Sequence, residues 1–300
     1  MRTFGRSWQL FKQTWAVINA EKGLILFPLL SALVATIVTV LVVLGIWIAF
    51  AVSPGLQQQA TQAVDAAAAG EGSAVETIVG IAILFVYYLI VSLIATYFMT
   101  GLAGAALQAF EGKDTSFGEG MRIANSRLGT IFGFSLISAT VGVILSLLSS
   151  REGNAGRVAG ALGGAAWSIA TFLAVPVIAR KEVGAVDALK ESGSLVTRTW
   201  GQQVVGRAGI GAVLGLIIFL AVLLFGFLTI WAFASVESAT LGIVIGAIGL
   251  LIVVILALVN SSLNGIYKAA VYHYADAGKA PVQYNEELIA SAFGAAPAKA

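Results

Sequence analysis

The chain has 300 residues, of which 59% are hydrophobic and only 11% charged, with 34 glycines and no cysteine. An average soluble domain is about 25% charged, and no water-soluble fold of this length hides so much apolar surface, so the composition points to a bilayer as solvent. A formal charge of +2 argues against nucleic acid as a partner, and the missing cysteine excludes disulfides, thiolate nucleophiles and cysteine metal sites.

At the start, Phe4, Trp8, Phe11, Trp15 and Ile18 recur at i, i+4, i+7, i+11 and i+14, with Arg2, Arg6, Gln9 and Gln13 opposite. This spacing predicts an amphipathic helix within residues 1–23. Two tryptophans facing a basic side fit a helix in the headgroup plane; packing of the same stripe on the ends of the spans is the alternative. A span needs roughly 20 apolar residues, and the first is Leu24–Phe50. Ala49-Phe50-Ala51 spells a small-x-small site, but the apolar run is too long for a cleaved signal peptide. The loop Ala51–Thr77 has no base and three acids, and the second span follows at Ile78–Met99.

Gly120–Arg127 is a basic segment before the third span, Leu128–Leu148, and the fourth is Val158–Ala179. Only Ser149–Arg157 separates these two, so they read as a hairpin. Leu189, Val196, Trp200 and Val204 share one side of a further amphipathic segment, with Glu191, Arg198 and Gln202 opposite. The fifth span, Ile210–Ala234, and the sixth, Leu241–Val259, form another hairpin around Ser235–Thr240. None of the six spans contains Lys, Arg, Asp or Glu. The order amphipathic segment, span, turn, span recurs from near 4, 118 and 188, the pattern expected of three two-span units. Past Pro281, Tyr284, Leu288 and Ile289 would share one face of a short helix, and Ala296–Ala300 is expected to be disordered.

The expected fold is therefore all-α: a polytopic transmembrane bundle over residues 24–275, entered through interfacial helices, with a tail at 276–300. Of the 17 basic residues, 15 fall on the side that holds both termini; the other side has only Arg151 and Arg157. Cytoplasmic loops are enriched in Lys and Arg, so both termini are expected in the cytoplasm of a cell-membrane protein.

An ionisable side chain at mid-bilayer usually marks an ion path or a catalytic centre, and these spans hold none. Ion-coupled transport through a buried carboxylate and carboxylate or metal-dependent intramembrane catalysis are thereby disfavoured. The lone histidine, His273, sits between Tyr272 and Tyr274 and reads as a boundary residue. Ser135, Ser138, Ser146, Ser149, Ser168 and Ser262 lack a Gly-x-Ser-x-Gly elbow or a partnering lysine within a span. The most polar stripe is Asn260, Asn264 and Lys268, with Thr96, Tyr97 and Thr100 of the second span at similar depth. It reads as an interhelical hydrogen-bond clamp, or else as the mouth of a cavity. Four pairs, Gly129/Gly133, Gly160/Gly164, Gly211/Gly215 and Gly242/Gly246, mark expected helix crossings.

Phe4-Gly5-Arg6-Ser7-Trp8, Lys12-Gln13-Thr14-Trp15 and Leu26-Phe27-Pro28-Leu29-Leu30-Ser31 are followed by Gly120-Met121-Arg122-Ile123-Ala124, Arg127-Leu128 and Ile137-Ser138-Ala139-Thr140-Val141-Gly142. Val175-Pro176-Val177, Ala188-Leu189-Lys190-Glu191-Ser192, Thr199-Trp200-Gly201, Ile266-Tyr267-Lys268-Ala269-Ala270 and Tyr274-Ala275 come next. In this order and spacing, the chain resembles a prokaryotic family of uncharacterised membrane proteins, domain of unknown function 6159. The resemblance implies six spans and no assigned activity, and it offers no catalytic residue. Together these readings favour a non-catalytic scaffold or regulator that needs no cofactor. Its expected partners are the lipid bilayer and proteins at the cytoplasmic loops. The alternative is a transporter or channel for a neutral or lipid-like solute.

Overall fold

The computed structural model describes residues 2–68, 74–150, 154–200, 210–234, 236, 238–286 and 289; side chains 2–7, 64, 67–68, 74, 76, 199–200 and 210–213 stand outside that description. The described residues form helices and turns, without strands, and six helical stretches are long and apolar enough to cross a membrane.

Helix α1 (Arg2–Ala20) buries Leu10, Thr14, Val17 and Ile18, at i, i+4, i+7 and i+8. The chain turns through a 3-10 segment, Lys22–Ile25, into α2 (Leu26–Val52). Pro28 lies in the first turn of α2, where its missing N–H would have no intrahelical acceptor. After α3 (Pro54–Ala68) comes α4 (Ala74–Phe110), 37 residues and so about 55 Å long. It far exceeds the expected span Ile78–Met99. The extra turns are made of small residues that pack closely: Leu102, Ala103, Ala105, Ala106 and Leu107 are all buried. Gly112, at φ 71, supplies the left-handed residue that follows the end of the helix.

Helix α5 (Phe117–Ser126) begins with a serine N-cap, the Ser116 hydroxyl accepting from the Glu119 N–H at 3.2 Å. Helix α6 (Leu128–Ser149) follows directly. The expected fourth span is not continuous: it divides into α7 (Asn154–Ala170) and α8 (Ala174–Arg180). Pro176 explains the break, because its ring clashes with the carbonyl four residues back, at Phe172, and it offers no N–H. The Leu173 N–H at the break is taken up by the Ser192 hydroxyl at 3.1 Å. Ser192 belongs to α9 (Ala185–Trp200), which buries Ala188, Ser192, Leu195 and Val196. That is the spacing α1 uses, with a hydroxyl residue again second. Helix α10 (Ile210–Ala234) and α11 (Ala239–Ala277) form the last hairpin. Helix α11 has 39 residues, about 58 Å, and also outruns its expected span. Gly278, at φ 70, closes it.

Neighbouring helices pair as α2 with α4, α6 with α7, and α10 with α11. Each amphipathic helix lies on another pair: α5 along α4, α9 across α6 to α8, and α1 on α10 and α11. Between them, the ends of α4, α8 and α11 meet in one apolar core, which includes Leu102, Val177, Ile178, Leu263, Ile266 and Val271. The far halves of the spans are largely uncovered: Leu41, Trp47 and Val52 of α2 are 62%, 67% and 77% exposed. The bundle thus has a capped end, carrying α1, α5 and α9, and an open end.

Not every expected glycine crossing occurs. A Cβ at Gly242 would stand 2.6 Å from the Phe233 ring, and one at Gly246 would stand 3.5 Å from Thr229, so α10 and α11 do cross there. Gly133 meets Ala185 and Gly160 meets Ser149, whereas Gly129, Gly164 and Gly215 face open space. Gly211 lies outside the described side chains. Spacing alone cannot tell a packed glycine from one that faces lipid.

Candidate functional site

Most of the described charges gather at the capped end, where the long helices run out. Just past α4, Glu111 receives Arg180 Nη2 at 2.5 Å and Lys113 Nζ at 2.7 Å. The Lys113 ammonium, followed by the Arg180 guanidinium, holds the Glu111 carboxyl below its ordinary range against an opposing desolvation. Lys181, just past α8, pairs with Glu191 of α9 and with Asp276 Oδ1 of α11 at 3.3 Å. The hydrogen bond to Glu191 leads in pushing the Lys181 ammonium's pKa up. These pairs tie α4, α8, α9 and α11 into one clasp around the apolar core.

Residues beyond α11 fold back over it. The Tyr284 hydroxyl donates to Thr14 Oγ1 at 3.0 Å, and Thr14 in turn donates to the Leu10 carbonyl at 2.9 Å. Burial raises the Tyr284 phenol above its usual range. Gln283 Nε2 donates to the Ala109 carbonyl at 3.2 Å, and Ile289 is fully buried. Tyr284 and Ile289 thus share a buried setting, while Leu288 and Ala296–Ala300 lie outside the described residues.

Along α1, Trp8, Phe11 and Trp15 stack on one another, with ring centroids 5.0 and 6.1 Å apart. Trp8 is 40% exposed, and Phe11 and Trp15 are half-buried. Ile18, expected on the same stripe, lies in the core. The stripe is therefore divided between packing and exposure. The side chains of Phe4 and Trp200, also expected at the interface, lie outside the described residues.

On α11, the hydrogen bonds described for the polar stripe run within the helix. Asn264 Nδ2 donates to the carbonyl and to Oδ1 of Asn260, both at 2.8 Å, within one helix. Lys268 Nζ lies over the Phe172 ring, 5.2 Å from its centroid, beside the break between α7 and α8. Thr96 and Thr100 are buried in α4, and the Tyr97 hydroxyl donates to Asn125 Oδ1 of α5 at 2.7 Å. Asn125 was missed by the sequence reading, although it stands in the basic segment before the third span. Only the docking of α5 on α4 brings it to Tyr97. His273 lies beside the Phe110 ring, 6.1 Å between centroids.

A cavity of about 420 Å³ opens elsewhere at the capped end, lined by Ser126, Arg127, Gly129 and Thr130 at the junction of α5 and α6 and by Glu182–Gly184. Chemically, the capped end offers paired charges, hydrogen-bonded side chains and a stacked aromatic edge. Among the described residues, no three His, Asp or Glu side chains are placed to hold a metal.

A family model described as a family of unknown function, DUF6159, matches residues 78–282. The opening motifs over 4–31 lie before the matched region. No curated protein and no solved structure matches the chain.

Proposed function

We propose, for a chain that belongs to the DUF6159 family of unknown function, a non-catalytic role as a scaffold or regulator in the cell membrane, with the capped end and both termini in the cytoplasm. The orientation rests on the 15 of 17 basic residues on that side. One observation carries the role. Cohesion is concentrated in the capped end, where buried apolar residues and the Glu111–Arg180 and Lys181–Asp276 pairs close the axis of the bundle, while the spans present apolar surface to lipid. A rigid platform with an aromatic edge suits the holding of partners at the membrane surface.

The test is mass spectrometry of lipids, solutes and proteins that co-purify with the intact chain, alongside a Trp8→Ala/Trp15→Ala variant. A protein partner lost, or a lipid association altered, in the variant supports the reading. Recovery of no partner together with unchanged lipid association refutes it.

A second reading has its own support. Interrupted membrane helices often line substrate paths in transporters, and the α7–α8 break adjoins Lys268. Under that reading, the chain in proteoliposomes moves a neutral or lipid-like solute, and Lys268→Ala or Asn264→Ala slows the flux. Vesicles that show no flux above empty controls rule it out.

A further inference from the structure

The cavity between the α5–α6 junction and residues 182–184 carries two opposite charges that the proposed role leaves unused. Arg127 stands at the last position before the apolar stretch of α6, so its guanidinium lies where a bilayer places phosphates. Its side chain is only 15% exposed, yet Nε is wholly buried without an acceptor among the described residues. Nη1 reaches Glu182 Oε1 at 2.9 Å, and Glu182 is 85% exposed. An ion pair so open to solvent is weak, and a ligand that satisfies both charges exchanges for it readily.

The walls suit a phosphate. Gly129 has no heavy atom within 4 Å of where a Cβ would stand, so the first turn of α6 is open to an approaching anion. The N-terminus of a 22-residue helix favours negative charge there, and a guanidinium binds phosphate through two parallel hydrogen bonds. The Ser126 and Thr130 hydroxyls donate to the Ile123 and Val183 carbonyls, so the anion's donors at this site are the guanidinium and the backbone of α6. Glu182 stands at the rim, where an ammonium group a few bonds from the phosphate would reach it. Leu128, Phe132 and Leu136, exposed at i, i+4 and i+8 of α6, run from this mouth along the membrane face as a track for an acyl chain.

We infer that the cavity binds the headgroup of a zwitterionic aminophospholipid, its phosphate on Arg127 and the first turn of α6 and its primary ammonium on Glu182. The inference rests on the chain being embedded in a membrane. The site is a shallow depression of about 420 Å³, open to the surface and lined by polar groups.

The test uses the full chain in detergent micelles, read by native mass spectrometry while phosphatidylethanolamine, phosphatidylglycerol or glycerophosphoethanolamine is titrated in. Phosphatidylethanolamine is expected to bind about tenfold or more tighter than the other two, since phosphatidylglycerol lacks the ammonium and its charged hydrogen bond, and glycerophosphoethanolamine lacks the acyl chains that would bury apolar surface. Glu182→Gln, at an exposed position that the fold does not need, is expected to erase the preference over phosphatidylglycerol. Arg127→Lys, which keeps the charge but not the fork, is expected to weaken both lipids. Equal binding of the two lipids by the unaltered chain overturns the inference, as does a preference that survives Glu182→Gln. Equal binding of glycerophosphoethanolamine assigns the site to a soluble phosphodiester instead. A chain that leaves the membrane fraction on alkaline carbonate washing refutes membrane embedding itself, a different outcome from an embedded chain without lipid preference.

Discussion

Gly120→Ala is a sharp test of how α5 is seated. A Cβ at Gly120 would stand 2.4 Å from Phe27 Cζ and 2.6 Å from the Gly101 carbonyl oxygen. Phe27 is fully buried, with Phe117 stacked 4.7 Å away at a tilt, so its ring has little room to turn. The Gly101 carbonyl is backbone within α4 and cannot rotate away. Overpacking a core costs about 1–3 kcal/mol, and a clash with backbone belongs at the upper end. Against it stands a gain of about 1 kcal/mol from replacing glycine by alanine within a helix. The net expectation is a loss of about 2 kcal/mol, a factor of about 30 in the folded population. Gly118→Ala in the same helix is the control, because its Cβ would come no nearer than 3.8 Å, to the Ser116 hydroxyl. Thermal melting of the detergent-solubilised variants should place Gly120→Ala below the unaltered chain and Gly118→Ala level with it or above. A Gly120→Ala variant that melts level with the unaltered chain would falsify this account of the α4–α5 contact.

Tyr97→Phe removes the hydroxyl that donates to Asn125 at 2.7 Å and should lower stability by about 1 kcal/mol, read by the same melt; no change would mean that water replaces the bond at no cost. The carboxylates of Glu111 and Glu119 are both held below their ordinary value of 4.5, Glu119 down to about 2 by its hydrogen bond to Arg122 and then by Gln108. A depressed folded pKa gives stability that is present above 4.5 and lost as pH falls through the folded value. Melting points should therefore drop between pH 4.5 and about 2, and in Arg180→Gln the Glu111 part of that drop should be smaller and end at higher pH. Lys181 has the opposite sign: its raised pKa gives stability that is full below 10.5 and lost above it, so Lys181→Met should flatten the alkaline limb. For orientation, single cysteines at Asp65 and Asp187 in this cysteine-free chain should react with an impermeant maleimide from outside and inside respectively, and the reverse pattern refutes the proposed topology.

Much of the architecture is local and so was readable from the sequence. The six apolar stretches are sums over consecutive residues, and a bilayer tests each one separately. The amphipathic segments declare themselves by period, and the distribution of Lys and Arg needs only a count. Even the break after Ala170 had a local cause in Pro176, which the unbroken reading of Val158–Ala179 passed over.

What the tertiary structure decided is everything that depends on a neighbour. Gly101–Phe110 lies beyond the expected second span, Ile78–Met99. It becomes core because Phe27, Ile123 and the α11 face close over it, with Leu102 fitting against Gly265. The stripe Phe4 to Ile18 has one phase in the sequence but two fates in the fold: Ile18 is covered by the core, while Trp8 is left at the edge. The amides of Asn260 and Asn264 meet within α11, and Tyr97 meets Asn125 of α5. Charges counted as a cytoplasmic excess turned out to be paired across helix ends, Glu111 with Arg180 and Lys181 with Asp276. A composition can say which residues prefer lipid to water. It cannot say which side chains meet, because that is set by distances between helices far apart in the chain.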